Sequence, residues 1–304
     1  MSSQKSRSRS EQFDMNNVTV AGVLQKLWGR GEDVFARLRV SHRGLLVEPE
    51  DVHACYVTLR FPEGSVGGKP VTLQPNATIR VNGFLTHTQI DESIRKFLEV
   101  SGEPGFLDDV PPDDLDAWRN VGFRRRSAVL NVLYLSMLDT EGQVLEFADQ
   151  GDEKSLDVFN QAALEGVIAQ TWEYQRNGGV DRFARLAVYD CHTRTEAREG
   201  NFGRPRRKPH YVTVLFPAGK TTSGHEVLLS EKSRIRVVGD LHDLGQRVTL
   251  HDALTRTGKS HVIELIQRLP GAERLHDIST QWETLHVRAD AVIVYTAGRS
   301  RKKK

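Results

Sequence analysis

Two stretches of the chain alternate aliphatic side chains with rings and guanidinium groups. Phe35, Arg37 and Arg39 interleave with Val34, Ala36, Leu38 and Val40, and Tyr56, Thr58 and Arg60 with Val57, Leu59 and Phe61. Further along, Phe183, Arg185 and Tyr189 interleave with Ala184, Leu186 and Val188, and Tyr211 and Thr213 with Val212, Val214 and Phe216. Alternate residues of a strand point to opposite faces, so the aliphatic sets line an interior and the others form an outer surface. Rings stack on planar bases and guanidinium groups neutralise phosphates, which is the chemistry a single-stranded nucleic acid needs. The competing reading is that a helix or a partner subunit covers these rings and the Arg stems merely pack on them.

A second source of charge lies between the two later stretches. The segment from His192 to His210 holds Arg194, Arg198, Arg204, Arg206, Arg207 and Lys208, with Phe202 among them. Gly200, Gly203, Pro205 and Pro209 keep it out of helix and sheet, so it reads as a loop able to fold over a phosphate backbone. The equivalent earlier loop, Ser41–Val52, mixes His42 and Arg43 with Glu48, Glu50 and Asp51. The two halves are therefore expected to bind unequally, the second more tightly. Trp28 and Trp172 have two readings, as stacking platforms or as caps on the interior; Trp118 and Trp282 read as packing residues.

Catalytic constellations are weaker. His242-Asp243, His251-Asp252 and His276-Asp277 resemble metal-ligand pairs, but none shares a long helix with a second His one turn away, and the first half lacks them. Cys55 and Cys191 lack the neighbours that activate a thiolate, and two cysteines make neither a disulfide framework nor a four-thiolate zinc site. There is no phosphate-binding G-x-x-x-x-G-K-[ST] loop. The expectation is a protein that is not an enzyme and uses no cofactor or metal.

The elements that position these residues come as a duplication. Asp33-Val34-Phe35-Ala36-Arg37-Leu38-Arg39-Val40 recurs as Asp181-Arg182-Phe183-Ala184-Arg185-Leu186-Ala187-Val188, and Gly22 and Trp28 recur as Gly166 and Trp172. Tyr56–Pro62 recurs as Tyr211–Pro217, and Ile79-Arg80-Val81-Asn82-Gly83 as Ile235-Arg236-Val237-Val238-Gly239. Each copy closes on an apolar run, Ala128–Leu135 or Val287–Tyr295. The Gly within the first strand marks a bulge or tight bend, and the Gly-rich turns after it mark a hairpin. Helical spacing appears late in each copy, over Ile90–Val100 and Val262–Leu269. Five short strands with a late helix predict an all-β dominated fold: two tandem OB-fold domains, five-stranded Greek-key barrels with short inserted helices. The boundaries are a basic disordered tail at 1–16, a first barrel at 17–138, an acidic linker at 139–159 with a helical turn at Ser155–Phe159, a second barrel at 160–297 and a basic tail at 298–304.

Composition agrees with a soluble chain of two domains. The 304 residues carry a net charge of +2, which hides −4 in residues 1–150 (17 basic, 21 acidic) and +6 in residues 151–304 (25 basic, 19 acidic). No apolar run is long enough for a membrane span and the N-terminus has no secretory core, so the expectation is a cytoplasmic, nucleoid-associated protein.

Taken together, the Asn- and Gly-containing opening strand (Asn17–Gly22), the F-A-x-L-x-V strand, the Y-V-x-V-x-F strand and the I-x-V-x-G-x-L segment resemble the bacterial single-stranded DNA-binding protein family. The resemblance covers roughly 120–135 residues twice over and points to the members with two OB domains per chain. It implies sequence-tolerant binding of single-stranded DNA in replication, recombination or repair, and a homodimer presenting four barrels. The candidate site residues, read from the strand faces and the basic loop, are Trp28, Phe35, Arg37, Arg39, Tyr56, Arg60, Trp172, Phe183, Arg185, Tyr189, Phe202, Arg204, Arg206, Arg207, Lys208 and Tyr211. An RNA-binding or protein-interaction module on the same barrels is the alternative. Two features depart from the family: the chain ends Arg299-Ser300-Arg301-Lys302-Lys303-Lys304 instead of on an acidic tip, and the helix between strands three and four is replaced by Val71–Leu73 and Val227–Leu229.

Overall fold

The computed structural model describes residues 14–40, 55–108, 121–138, 144–147, 160–176, 179–189, 209–221, 223–268 and 272–295. The first half builds β1 (Asn16–Arg30), β2 (Asp33–Val40), β3 (Cys55–Phe61), a small hairpin of β4 (Ser65–Val66) and β5 (Lys69–Pro70), then β6 (Thr78–Ser93), α1 (Ile94–Ser101), β7 (Gly122–Leu138) and β8 (Val144–Phe147). The second half gives β9 (Asn160–Arg176), β10 (Gly179–Val188), β11 (His210–Phe216), β12 (Arg234–Thr249), α2 (Leu250–Arg256), α3 (Ser260–Ile266) and β13 (Ser279–Tyr295).

Strand pairing closes each half into a five-stranded barrel. β1 pairs antiparallel with β2 and β6, β2 with β3, and β3 runs parallel to β7, which neighbours β6. The second half repeats the circuit: β9 pairs with β10 and β12, β10 with β11, and β11 runs parallel to β13, which neighbours β12. In order along the chain, each barrel runs first, second, third, fifth, fourth and back to first. This is the OB topology, and both interiors are filled by the aliphatic sets read from the sequence: Ala36, Leu38, Val57, Leu59 and Phe61 in one, Ala184, Leu186, Val212, Val214 and Phe216 in the other.

Conserved geometry between the halves reaches individual hydrogen bonds. The Asn16 side chain donates to the Leu85 carbonyl and accepts from the Leu85 N–H, and Asn160 does the same with Leu241. Asp33 accepts from the Glu63 N–H and Asp181 from the Ala218 N–H; Glu63 and Ala218 both hold the left-handed conformation, at φ 52° and 50°. A Cβ on Gly83 would lie 1.9 Å from the Asn131 carbonyl oxygen, and one on Gly239 would lie 2.0 Å from that of Arg288, so only glycine lets these strands close up.

The compact units of the molecule follow function of the core more than order in the chain. One unit, residues 1–86, 129–242 and 286–304, contains both barrels. Within it, β1 and β9 pair antiparallel from Asn16↔Leu164 to Val20↔Asn160, so the two barrels share one continuous sheet. The other unit, residues 87–128 and 243–285, is built from the late excursions of both halves. Its core joins Ile94, Phe97, Leu98 and Phe123 from the first half with Leu250, Leu254, Val262, Ile266 and Ile278 from the second. Trp282 packs against that core, with the Arg125 guanidinium 5.3 Å from its ring centre.

Several elements differ from the sequence reading. Ile90–Ser93 ends β6 instead of starting a helix, because Ser93 caps α1 by accepting the Lys96 N–H. The second excursion has two helices, and α2 was not expected; Thr249 caps it as Ser93 caps α1. β8 lies within the stretch read as an acidic connector and pairs with the end of β7. Residues 1–13, Ser155–Phe159, Trp118 and the tail at 298–304 lie outside the described residues, while Asn16, read as the end of the first tail, opens β1. Among the described residues no helix is long and apolar enough to cross a membrane.

Candidate nucleic-acid interface

The outer face of the first barrel is set by register. Phe35 lies opposite Arg60, Arg37 opposite Thr58 and Arg39 opposite Tyr56. β3 alternates buried and half-buried residues without exception, placing Tyr56, Thr58 and Arg60 outside. Arg37 donates to Thr58 Oγ1 at 3.0 Å and lies over the Tyr56 ring, 5.3 Å from its centre.

β1 reaches this face by an irregularity. Its inward residues are Val18, Val20, Gly22 and Leu24, and the pairing with β2 then slips between Leu24 and Lys26. One extra residue, Gln25, reverses the parity of everything after it. Leu27 turns inward opposite Ala36, while Lys26, Trp28 and Arg30 turn outward. Trp28 then stacks on Phe35, with ring centres 5.8 Å apart and planes 14° from parallel. β9 slips at the corresponding Ala169 and puts Trp172 on Phe183, at 5.4 Å and 3°. Gly22, expected to mark a bulge or a tight bend, is not itself the bulge but the point of closest approach to β2: a Cβ on it would lie 2.1 Å from the Arg39 carbonyl oxygen.

The result is one constellation built twice. Trp28, Phe35, Arg37 and Tyr56 in the first barrel match Trp172, Phe183, Arg185 and Tyr211 in the second, where Arg185 lies 5.7 Å from the Tyr211 ring centre. Both tryptophans are 37% exposed, and both are on the outer face instead of capping a barrel end. Phe35 is only 4% exposed, so it supports Trp28 from beneath and its own ring is closed to a ligand; Phe183 is half-buried. Arg39 and Tyr189 are exposed. Arg60 is drawn into an ion pair with Asp33 at 2.7 Å, which takes up part of its charge. Phe202, Arg204, Arg206, Arg207 and Lys208 lie outside the described residues, and the expectation of a tighter second half rested on them.

Sequence reasoning missed Lys26, Arg30 and Tyr174. All three follow the bulge, and an unbroken alternation along strand one assigns them to the inward face; a matching slip in two copies of a repeat leaves no trace in their alignment. Lys26 Nζ stands 5.3 Å from the Trp28 ring centre, and Tyr174, opposite Asp181, is 62% exposed.

A buried ionic group centres on Glu165 of the second barrel and draws in Asp14 from ahead of β1. Glu165, 3% exposed at its side chain, accepts from Arg234 at 2.9 Å and from Arg236 at 2.7 Å, and Arg234 also pairs with Asp14. Burial opposes ionisation of Glu165, but the hydrogen bonds from Arg236 and Arg234 win and hold its carboxyl below the ordinary glutamate value. Burial pushes Asp14 up, against the Tyr189 N–H it accepts and the nearby Arg234 charge. His242 pairs with Asp240 at 2.7 Å, while the His251 and His276 rings lie with centres 4.2 Å apart and planes tilted by 34°. Among the described residues no group of three or more His, Cys, Asp or Glu side chains could hold a metal ion.

No family model matches the chain, and no curated protein does. Solved structures similar to it include two of the single-stranded DNA binding protein from Thermus aquaticus. A deletion variant is 12% identical with a TM-score of 0.48, the alignment covering 96% of this chain and 99% of that one. The wild-type form is 13% identical with a TM-score of 0.47, covering 96% and 98%.

Proposed function

We propose that this protein binds single-stranded DNA without strong sequence preference, as a binding protein and not an enzyme. The observation that carries the reading is the constellation built twice on the outer faces of the barrels, an exposed Trp backed by a Phe and an Arg held over a Tyr. A Trp supported on one side by a second ring is rigid, so a base stacking on its open surface loses little of its gain to ordering the protein. The guanidinium on the same face supplies the positive charge that neutralises backbone phosphates. The strand-two and strand-three face is also where OB-folds take oligonucleotides. Self-association into a dimer with four barrels, and service in replication, recombination or repair, are extensions of the same proposal.

The test is a titration of intrinsic Trp fluorescence with poly-dT, a duplex of equal length and a matched RNA. Saturable quenching by poly-dT, weak response to duplex and a steep fall of affinity with salt support the proposal. Equal affinity for duplex, or no saturable change, overturns it; preference for RNA moves the assignment to the alternative.

A further inference from the structure

The two faces share a constellation but differ in the charge around it. Past its bulge, β1 puts Lys26 and Arg30 beside Trp28, and β2 adds Arg39. The equivalent positions on β9 and β10 are Gln170, Tyr174 and Ala187. Arg60 of β3 corresponds to Leu215 of β11, which is buried. Two positions thus exchange a cation for a neutral aliphatic, one a cation for a neutral amide, and one a cation for a tyrosine ring.

We propose that, beyond the Trp each presents, the two barrel faces take hold of different parts of the same strand: the first adds contacts to its phosphates and the second adds stacking on its bases. The inference rests on the single-stranded DNA reading above. Charge on the first face acts on the backbone whatever the bases are, since phosphate neutralisation is sequence-independent. The second face presents Trp172 and Tyr174 on one side of one strand, two residues apart and both exposed, with Tyr189 exposed at the end of β10. Alternate residues of a strand are about 7 Å apart, the spacing of bases in an extended single strand rather than in a stacked helix. The second face therefore selects a strand pulled open, and the first holds it there by its backbone.

The experiment compares oligo-dT with an abasic deoxyribose-phosphate oligomer of the same length, across a series of salt concentrations. Two double variants are used, each at exposed positions so that folding is preserved: Lys26→Gln with Arg39→Gln, and Trp172→Ala with Tyr174→Ala. The first is expected to weaken both ligands and to lower the salt slope for oligo-dT by about 1.4, for two phosphates released from contact. The second is expected to weaken oligo-dT about tenfold or more, to leave its salt slope unchanged and to leave the abasic oligomer untouched. The single variant Tyr174→Ala, at the most exposed ring, repeats the second result on a smaller scale. Loss of abasic binding in the aromatic variant, or an unchanged salt slope in the basic one, overturns the division of roles. Failure of the parent protein to bind oligo-dT at all defeats the functional proposal itself, a separate result.

Discussion

Gly83 and Gly239 hold the closest approaches in the two barrels, and each is a residue where one methyl group meets a carbonyl oxygen at about half the usual contact distance. Gly239→Ala is expected to cost about 2 kcal/mol or more, read from chemical denaturation, because β12 and β13 must part to admit it. Glu165 gives a pH-dependent counterpart. A carboxyl held below its ordinary value adds stability above the unfolded-state value and loses it as pH falls through the folded one. Asp14, raised by burial, runs the other way, contributing most at low pH and less as pH rises through its raised value. Melting curves of the parent and Glu165→Gln between pH 7 and pH 3 should therefore converge as the acid limit is reached; a constant gap removes the titration of Glu165 as its cause. None of this group was visible in the sequence, since Asp14, Glu165 and Arg234 are brought together by strand pairing across long separations.

At the scale of elements, alternation was the most legible signal. It placed every inward residue of β3 correctly, and the repeat gave the order of strands in both barrels. It failed where strand geometry breaks, at Gln25 and Ala169, because a bulge changes parity without changing composition. The helices were legible only in part. Apolar spacing found α1, but its start was set by Ser93, and α2 escaped although Thr249 caps it and Leu250, Ala253 and Leu254 follow at helical spacing. The two caps are equivalent in the repeat, so Ser93→Ala and Thr249→Ala are each expected to cost about 1 kcal/mol. Denaturation midpoints that move for one and not the other would show that the two helix starts do not bear equally on the shared core.

On the scale of the whole molecule, the duplication could be read from five matched segments, whereas the pooling of both late excursions in one core could not. Amphipathic helices declare that they bury a face but not what they bury it against. Ile94 and Phe97 meet Leu254 and Ile266 in that core, across more than 150 residues of chain. The tighter second half expected from the basic loop between His192 and His210 rests on the sequence, whereas the described faces carry the charge in the opposite order, with the first barrel the richer in cations.

The ladder between Asn16–Val20 and Asn160–Leu164 has a practical consequence for how the halves stay together. Main-chain bonds, together with the core that the late excursions of both halves share, yoke the halves without need of the tether of residues 148–159. A single proteolytic nick in that tether should therefore yield two fragments that still co-migrate on a sizing column and part only in denaturant. Separation in plain buffer would mean that the covalent link had been holding them all along.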